Sequence, residues 1–180
     1  MHKEIERKAW VRDWNQTLEL LNRNFNFVKE YHKKDQYFLM EGYTRESKKK
    51  FRIRQDGNEY WVTYKFKSLL ETLEVNDEIE FQISDVQSYQ RMMEALGFKI
   101  FINKEKKGYR FQRDQWILEL SHISDLGDFI EIECLLTDPS PEQIKEADIQ
   151  ILSLFDQLKI SHSDIETRYY NQMLLANKEL

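Results

Sequence analysis

Apolar and charged residues alternate one for one along several stretches of this chain, the pattern of strands with one greasy and one charged face. The alternation predicts a first strand over residues 3–11, with Glu4, Glu6 and Lys8 on one side of it. Asp13 then suits the cap of a helix that runs through Leu18, Leu20 and Leu21 and ends near Asn24. A second strand is expected over 35–40, and the polar stretch 42–50 reads as a loop with Lys48, Lys49 and Lys50 solvated. Residues 51–54 and 60–67 flank Asp56-Gly57-Asn58, which is a hairpin signal. Residues 68–74 read as a connector into a strand over 75–83. Ser84 or Asp85 caps a helix expected to bury Met92, Met93 and Leu96 and to stop at Gly97. Three antiparallel strands are expected over 99–106, 109–113 and 115–121, then a loop at 125–127 and a strand over 129–136. Asp138-Pro139-Ser140-Pro141 starts a helix containing Ile144, Ile151, Leu152 and Phe155, and a last helix is expected from 164 to about 176. The reading is an α+β fold, mainly antiparallel β, forming one domain over 1–180.

The charges on these strands are sorted by sign. Acids sit on the first, fifth and last strands, at Glu4 and Glu6, Glu78 and Glu80, and Glu131 and Glu133. Bases sit on the third, fourth and sixth, at Arg52 and Arg54, Lys65 and Lys67, and Lys104 and Lys106. Like charges side by side repel, so each row needs a partner of opposite sign. Helices need an apolar sheet face to pack on. If they cover the Ile/Phe face from outside, the charged face turns inward, and about eight strands can close into a tunnel-like barrel. Ions in such a lumen are partly desolvated and costly without partners. Hard carboxylate oxygens suit Mg2+ or Mn2+. Glu4 and Glu6, roughly 6–7 Å apart along a strand, are within reach of one cation. Arginines and lysines from several walls suit a linear polyphosphate, and Arg52 or Arg54 can grip it with a bidentate fork.

Composition narrows the class. The chain has 180 residues, 41% hydrophobic and 33% charged, enough for a core under a highly charged surface. A net charge of −5 argues against a general nucleic-acid binder. No run of about 18 apolar residues is present and the first residues lack the apolar core of a signal peptide, so no membrane association is expected. The single cysteine, Cys134, fits a reducing compartment, and a cytoplasmic location is the expectation. Five glycines and no Gly-rich phosphate loop mean that phosphate binding must use side chains. His2, His32, His122 and His162 show no metal-ligand spacing. Trp10, Trp14, Trp61 and Trp116 read as packing residues and Cys134 as a small buried hydrophobe.

Several motifs together resemble the CYTH superfamily, the triphosphate tunnel metalloenzymes, over essentially the whole chain. The ExExK signature is Glu4, Glu6 and Lys8. The LRIR-like strand is similar to Phe51-Arg52-Ile53-Arg54, the T-x-K strand to Thr63-Tyr64-Lys65, and the ExE strand to Glu78-Ile79-Glu80. The K-x-R-x-x-Y segment resembles residues 104–109, and the LGxFxEIE block resembles 126–133. Within the superfamily the chain looks most like the class IV adenylyl cyclases, through Asp35-Gln36-Tyr37-Phe38 and the C-terminal run from Arg168 to Leu174. It departs from the pattern at Asn76, where arginine is frequent, at Lys106, where the motif has arginine, and at Ser121, where aspartate is common. Glu119 lies two residues before Ser121, on the same face.

The resemblance implies conversion of ATP to cyclic AMP and pyrophosphate, a phosphorus–oxygen lyase activity with Mg2+ or Mn2+. Catalytic roles then fall to Glu4, Glu6, Lys8, Glu131 and Glu133. The metal set is Glu4, Glu6, Glu131 and Glu133, supported by Glu78 and Glu80. Lys8, Arg52, Arg54, Lys65, Lys67, Lys104 and Lys106 would clamp the phosphates, and Arg168 would reach the tunnel mouth. The alternatives are a triphosphatase acting on tripolyphosphate, thiamine triphosphate or a nucleotide, and a non-catalytic polyphosphate- or nucleotide-binding module. The sequence leaves open whether the last helix packs on the barrel or joins a homodimer. Residues 46–50 read as a loop that could close over one tunnel end.

Overall fold

Eight antiparallel strands close on themselves into a barrel, and a ninth short strand extends one edge. The computed structural model describes residues 2–40, 42, 49–70 and 73–178, without the side chains of His2, Lys49, Lys50, Lys67, Ser68, Leu69 and Lys178. In chain order the elements are β1 (His2–Trp10), α1 (Trp14–Asn24), β2 (Asn26–Met40), β3 (Lys49–Asp56), β4 (Glu59–Leu70), β5 (Leu73–Ile83), α2 (Val86–Ala95), β6 (Phe98–Arg113), β7 (Trp116–Ile123), β8 (Gly127–Thr137), α3 (Pro141–Gln157), β9 (Ile165–Glu166) and α4 (Tyr170–Lys178). The sheet runs β5-β4-β3-β2-β6-β7-β8-β1, and β5 pairs back onto β1 from Lys3↔Asp77 to Glu6↔Glu74 to close the ring. β9 takes up the other half of that β1 edge, at Lys8↔Glu166 and Ala9↔Ile165. Closure leaves no long free edge in the sheet, which removes a template for aggregation.

The period-2 alternation decides what faces where. On β1, Ile5 and Ala9 point outward into a core cluster with Leu118, Leu120, Ile130 and Ile132, covered by Ile151, Leu154 and Phe155 of α3. Arg7, also outward, is held by Asp148 of α3. α3 begins at a capping box, with Ser140 accepting from the Gln143 amide and the Gln143 side chain accepting from Ser140. α2, capped by Asp85, lays Met93 on Phe38, Ile53 and Val62 of the opposite wall. Asp13 caps α1 by accepting from the Gln16 amide.

α4 lies across one end of the barrel rather than along its outer wall. Its Tyr170 and Met173 pack on Ile123 and Phe129, and its Leu174 packs on Tyr37 and Ile102. Tyr37, Ile123 and Phe129 share the strand face that carries the lumen's charged residues, so α4 closes that mouth. Asn177 adds a hydrogen bond to the Asp125 carbonyl in the β7–β8 turn.

Several expected boundaries change. β2 begins at Asn26, not near 35; residues 26–34 mix apolar and charged residues on both faces, with Phe27 and Tyr31 on one and Val28 on the other, so no clean alternation marks the strand. The expected strands 99–106 and 109–113 are one strand, β6. Gly108 sits in its middle because a Cβ there would lie 2.1 Å from the Leu120 carbonyl oxygen, so it is a close approach of backbones and not a turn. Met92 and Leu96 are exposed, and only Met93 of the expected trio is buried. The last helix starts at Tyr170, after a 3-10 turn over His162–Asp164 and β9. Lys49 and Lys50 open β3, while residues 43–48, including the expected loop lysine Lys48 and most of the segment 46–50, lie outside the described residues. The expected connector 68–74 shrinks, since β4 reaches Leu70 and β5 starts at Leu73. No described helix is long and apolar enough to cross a membrane.

Candidate functional site

The barrel encloses a cavity of about 150 Å³ whose walls are mainly ionic. Its contents fall into one acidic group and two basic ones.

The acidic group stands on β1 and β8. Glu4, Glu6 and Glu133 bring one carboxylate oxygen each to within 4.8 Å of one another. Burial pushes the Glu6 carboxyl well above its ordinary range, and Glu74 and Glu4 add to this against the pull of Lys65. Burial, then the charges of Glu4 and Glu119, raise Glu133 to about 7. Lys65 from β4 reaches into this group, bonding Glu4 and lying 3.0 Å from Glu78 and 3.9 Å from Glu6. Burial works against its charge, but Glu4, Glu6 and Glu78 outweigh that and hold the ammonium well above the usual lysine range. These three half-buried carboxylates are under-neutralised, since Lys65 reaches only Glu4 and Glu6 of them and divides its charge with Glu78. Such an all-oxygen set fits a hard divalent cation.

The first basic group is built around Asp35 of β2, whose side chain is fully buried. Arg54 donates to both its oxygens, at 2.7 and 2.9 Å, Lys104 lies at 3.1 Å and Arg52 at 3.7 Å. Burial would raise the Asp35 carboxyl, but Arg54, Lys104 and Arg52 hold it well below the usual range. Tyr37 stands in the same field: burial alone would raise its phenol, yet Lys104, Arg52 and Arg54 bring it down to about 8. Arg52 also donates to Thr63, which donates in turn to Glu80 at 2.8 Å.

The second basic group surrounds Glu119 of β7. Lys33 donates to it at 2.6 Å, Lys106 at 2.7 Å and Arg110 at 2.8 and 2.6 Å. Burial opposes the Glu119 charge, but Lys106, Lys33 and Arg110 keep it well below the usual range. Burial drags the Lys33 ammonium down to about 7, only partly offset by Glu119. Lys106 also bonds Glu131, which ties this group to the acidic wall. At the end closed by α4, Lys8 is paired with Glu74.

Of the residues expected from sequence, Glu4, Glu6, Lys8, Arg52, Arg54, Lys65, Glu78, Glu80, Lys104, Lys106, Glu131 and Glu133 all line this one cavity. Glu78, Glu80 and Glu131 are engaged with Lys65, Thr63 and Lys106 rather than gathered with the other three acids. The backbone of Lys67 pairs with Asn76, and its side chain lies outside the described residues. Arg168 does not reach the cavity. It is 60% exposed and bound to Glu166 two residues earlier, while Tyr169 and Tyr170 turn inward in its place. Asn76 is fully buried, its amide 3.5 Å from Glu4. Ser121 is buried as well, and Glu119 supplies the carboxylate beside it. Lys33, Asp35, Tyr37, Glu74, Arg110, Tyr170 and Asn171 were not expected in the site. Arg110 keeps the parity of Lys104 and Lys106 along the single strand β6, whereas Lys33 and Asp35 are set inward only by the pairing of β2 with β6, at Lys33↔Lys106 and Asp35↔Lys104.

A closed antiparallel barrel with an ion-lined lumen defines the class, and comparison with known proteins gives the family. The profile of the CYTH domain family matches residues 2–170, and the chain belongs to that family. It is 27% identical over 173 residues to "Putative adenylate cyclase MJ0240" of Methanocaldococcus jannaschii, covering 94% of this chain and 97% of that one. The PH1819 protein of Pyrococcus horikoshii superposes with a TM-score of 0.84 at 25% identity, covering 96% of this chain and 98% of that one. A Hippeastrum protein, HpAC1, described as a putative adenylyl cyclase with a dominant triphosphatase activity, superposes with a TM-score of 0.70 at 16% identity, over 99% and 96% of the two chains.

Proposed function

We propose that the chain is a divalent-metal-dependent cyclase that binds ATP in the lumen and releases cyclic AMP and pyrophosphate. The observation that carries this reading is the order of charges along β1. Lys8 lies beside the mouth closed by α4, and Glu6 and Glu4 follow toward the other mouth. At about 3.4 Å per residue they stand roughly 7 and 14 Å further along the strand. A triphosphate entering from that other mouth, terminal phosphate first, brings its innermost phosphate to the level of the acids. Glu4, Glu6 and Glu133 are the residues that would hold the cation. A bound divalent cation supplies charge neutralisation at the reacting phosphorus and acidifies the attacking hydroxyl.

The chain's own side chains supply the rest. Arg54 and Arg52, fixed by Asp35 and Thr63, present guanidinium groups to phosphate oxygens without reorganising. Lys65 is shared among three carboxylates and can turn to the substrate once a cation takes them. Lys8 and Lys104 would hold the outgoing pyrophosphate. Among the described residues no histidine lines the cavity.

The second reading is hydrolysis of the terminal phosphate, and the activity described for the Hippeastrum relative favours it. The two differ only in which phosphorus sits against the acids. Incubation with ATP and Mn2+ separates them. Cyclic AMP with pyrophosphate is expected; orthophosphate in their place would move the assignment to hydrolysis, and no product would remove both. Glu6→Ala is expected to abolish metal-dependent turnover while the far-UV spectrum stays unchanged.

A further inference from the structure

We infer that Tyr170 and Asn171, in the first turn of α4, form an anion subsite at the closed end of the lumen that receives the terminal phosphoryl group of a linear triphosphate. The inference rests on the triphosphate reading above and adds a direction of binding to it.

Both residues line the cavity, and both are more than nine-tenths buried, at 8% and 6% exposure. Yet Tyr170 Oη and Asn171 Oδ1 have no hydrogen-bond partner in the protein among the described residues. Buried polar atoms nearly always have partners, and the exceptions call for a cause. Here the cause is position. The rest of α4 is anchored by apolar contacts of Met173 and Leu174, which fix the first turn over the lumen. Nothing in that anchoring requires polar side chains at 170 and 171.

The surroundings select the ligand. The Tyr170 ring lies 5.3 Å from the Lys8 ammonium and 5.0 Å from that of Lys104. A helix of nine residues turns its N-terminus, the positive end of its dipole, to the same place. Lys8 is paired with Glu74 and Lys104 with Asp35, which Arg54 and Arg52 also hold, so both ammonium groups can share an incoming anion; with the helix N-terminus they disfavour a cation and favour an anion. Burial, with the charges of Glu6, Glu74 and Glu119, holds the Tyr170 phenol well above its ordinary range, so its hydroxyl remains a donor. The Asn171 carboxamide can turn its amino group to the same oxygens. A phosphoryl group, with three acceptor oxygens, is the ligand that two donors and two cations fit.

Because α4 covers this mouth, the subsite is reached only from within the lumen. It therefore reads a free chain end. A nucleoside triphosphate has one and inorganic tripolyphosphate two; cyclic trimetaphosphate, with the same phosphorus count, has none.

The test is titration calorimetry of the full chain with sodium tripolyphosphate and with sodium trimetaphosphate, on the wild type, Tyr170→Phe and Asn171→Leu. The wild type is expected to bind tripolyphosphate and to discriminate against the ring. Each variant is expected to lose about tenfold or more in tripolyphosphate affinity, as for a hydrogen bond to a charged group. Mn2+ affinity is expected to stay unchanged, and melting temperature to hold or rise, since an unpaired buried atom has been removed. Unchanged tripolyphosphate affinity in both variants overturns the subsite while leaving the triphosphate reading standing. Equal losses of tripolyphosphate and Mn2+ affinity point to general loosening and overturn it too. A wild type that binds no tripolyphosphate takes down both the reading and the subsite. If Asn171→Leu does not fold, Tyr170→Phe, which changes one oxygen, carries the same test.

Discussion

Replacing Asp35 by asparagine isolates what one buried carboxylate does for the barrel. Its side chain is fully buried, and those of Arg54, Arg52 and Lys104 around it are 17%, 11% and 5% exposed. Asp35 itself does not line the cavity, so the change leaves the lumen's own surface in place. Removing one member of a buried ion pair costs about 3–5 kcal/mol, because the partners remain charged and unmatched. The arginines cannot relieve the strain by losing protons. For a chain of this size each kcal/mol moves the melting temperature by about 2–4 °C, so a fall of roughly 10 °C is expected. The fall should be nearly the same from pH 5 to pH 8. Asp35's folded value is lowered, so its contribution is complete above its unfolded value near 4 and fades only as pH drops through the lower folded one. Raising salt should change little, since buried pairs are poorly screened. Tripolyphosphate should restore much of the loss by giving the three cations another anion. Calorimetric or CD melting measures all of this. A fall under about 2 °C, or one that disappears in high salt, would refute the account of Asp35 as the anchor of that wall.

Other changes test other parts. Glu6 and Glu133 carry raised folded values, so the metal-free protein holds protons there that the unfolded chain releases, and its stability should decline as pH rises from about 4 toward 7. Mn2+ should reverse this trend and bind more tightly at pH 8 than at pH 5.5 with release of protons, which calorimetry in two buffers detects; affinity independent of pH would contradict it. Gly108→Ala should lower the melting temperature by several degrees, as overpacking costs about 1–3 kcal/mol or more, and a neutral outcome would mean that β6 and β7 part easily at that point. Arg168→Ala should leave tripolyphosphate affinity unchanged, because that guanidinium is exposed and spent on Glu166.

The barrel was legible because its strands are strict about alternation. Ile5, Ile53, Ile79 and Ile132 each sit between two like charges, and that spacing alone sends the charges to one face. The lumen's contents were less legible where a residue departs from a repeated motif. Lys33 and Asp35 lie in a stretch with charged residues on both faces, where His32 and Lys34 look no different from them until pairing with β6 fixes the register. Glu119 is one carboxylate among apolar neighbours, and its importance comes from three cations that arrive from two other strands. Arg168 failed for the opposite reason. A cation near a recognised segment looked like part of the clamp, but a local partner two residues away captures it. Tyr170 and Asn171 could not be placed, because their role depends on α4 crossing a mouth, and no local pattern shows which surface a short helix will cover.

The lumen is close to neutral as it stands. Eight carboxylates and eight cationic side chains line it among the described residues, and Lys65, Lys106 and Lys8 are already paired with Glu4, Glu131 and Glu74. A bare anion must therefore take cations away from carboxylates and leave those carboxylates buried and unmatched. A bare divalent cation does the same in reverse to the lysines. Bound together they exchange partners: the cation takes the acids, the phosphates take the released lysines and the arginines, and no buried charge is stranded. It follows that tripolyphosphate and Mn2+ should strengthen each other's binding by equal factors, as linkage requires. Calorimetric titration of each in the absence and presence of the other measures both factors. Coupling of tenfold or more is expected, about 1.4 kcal/mol. Independent binding would show that the acids and bases of the lumen do not trade partners, and the internal ion pairs would then be fixed supports of the barrel instead of stand-ins for a ligand.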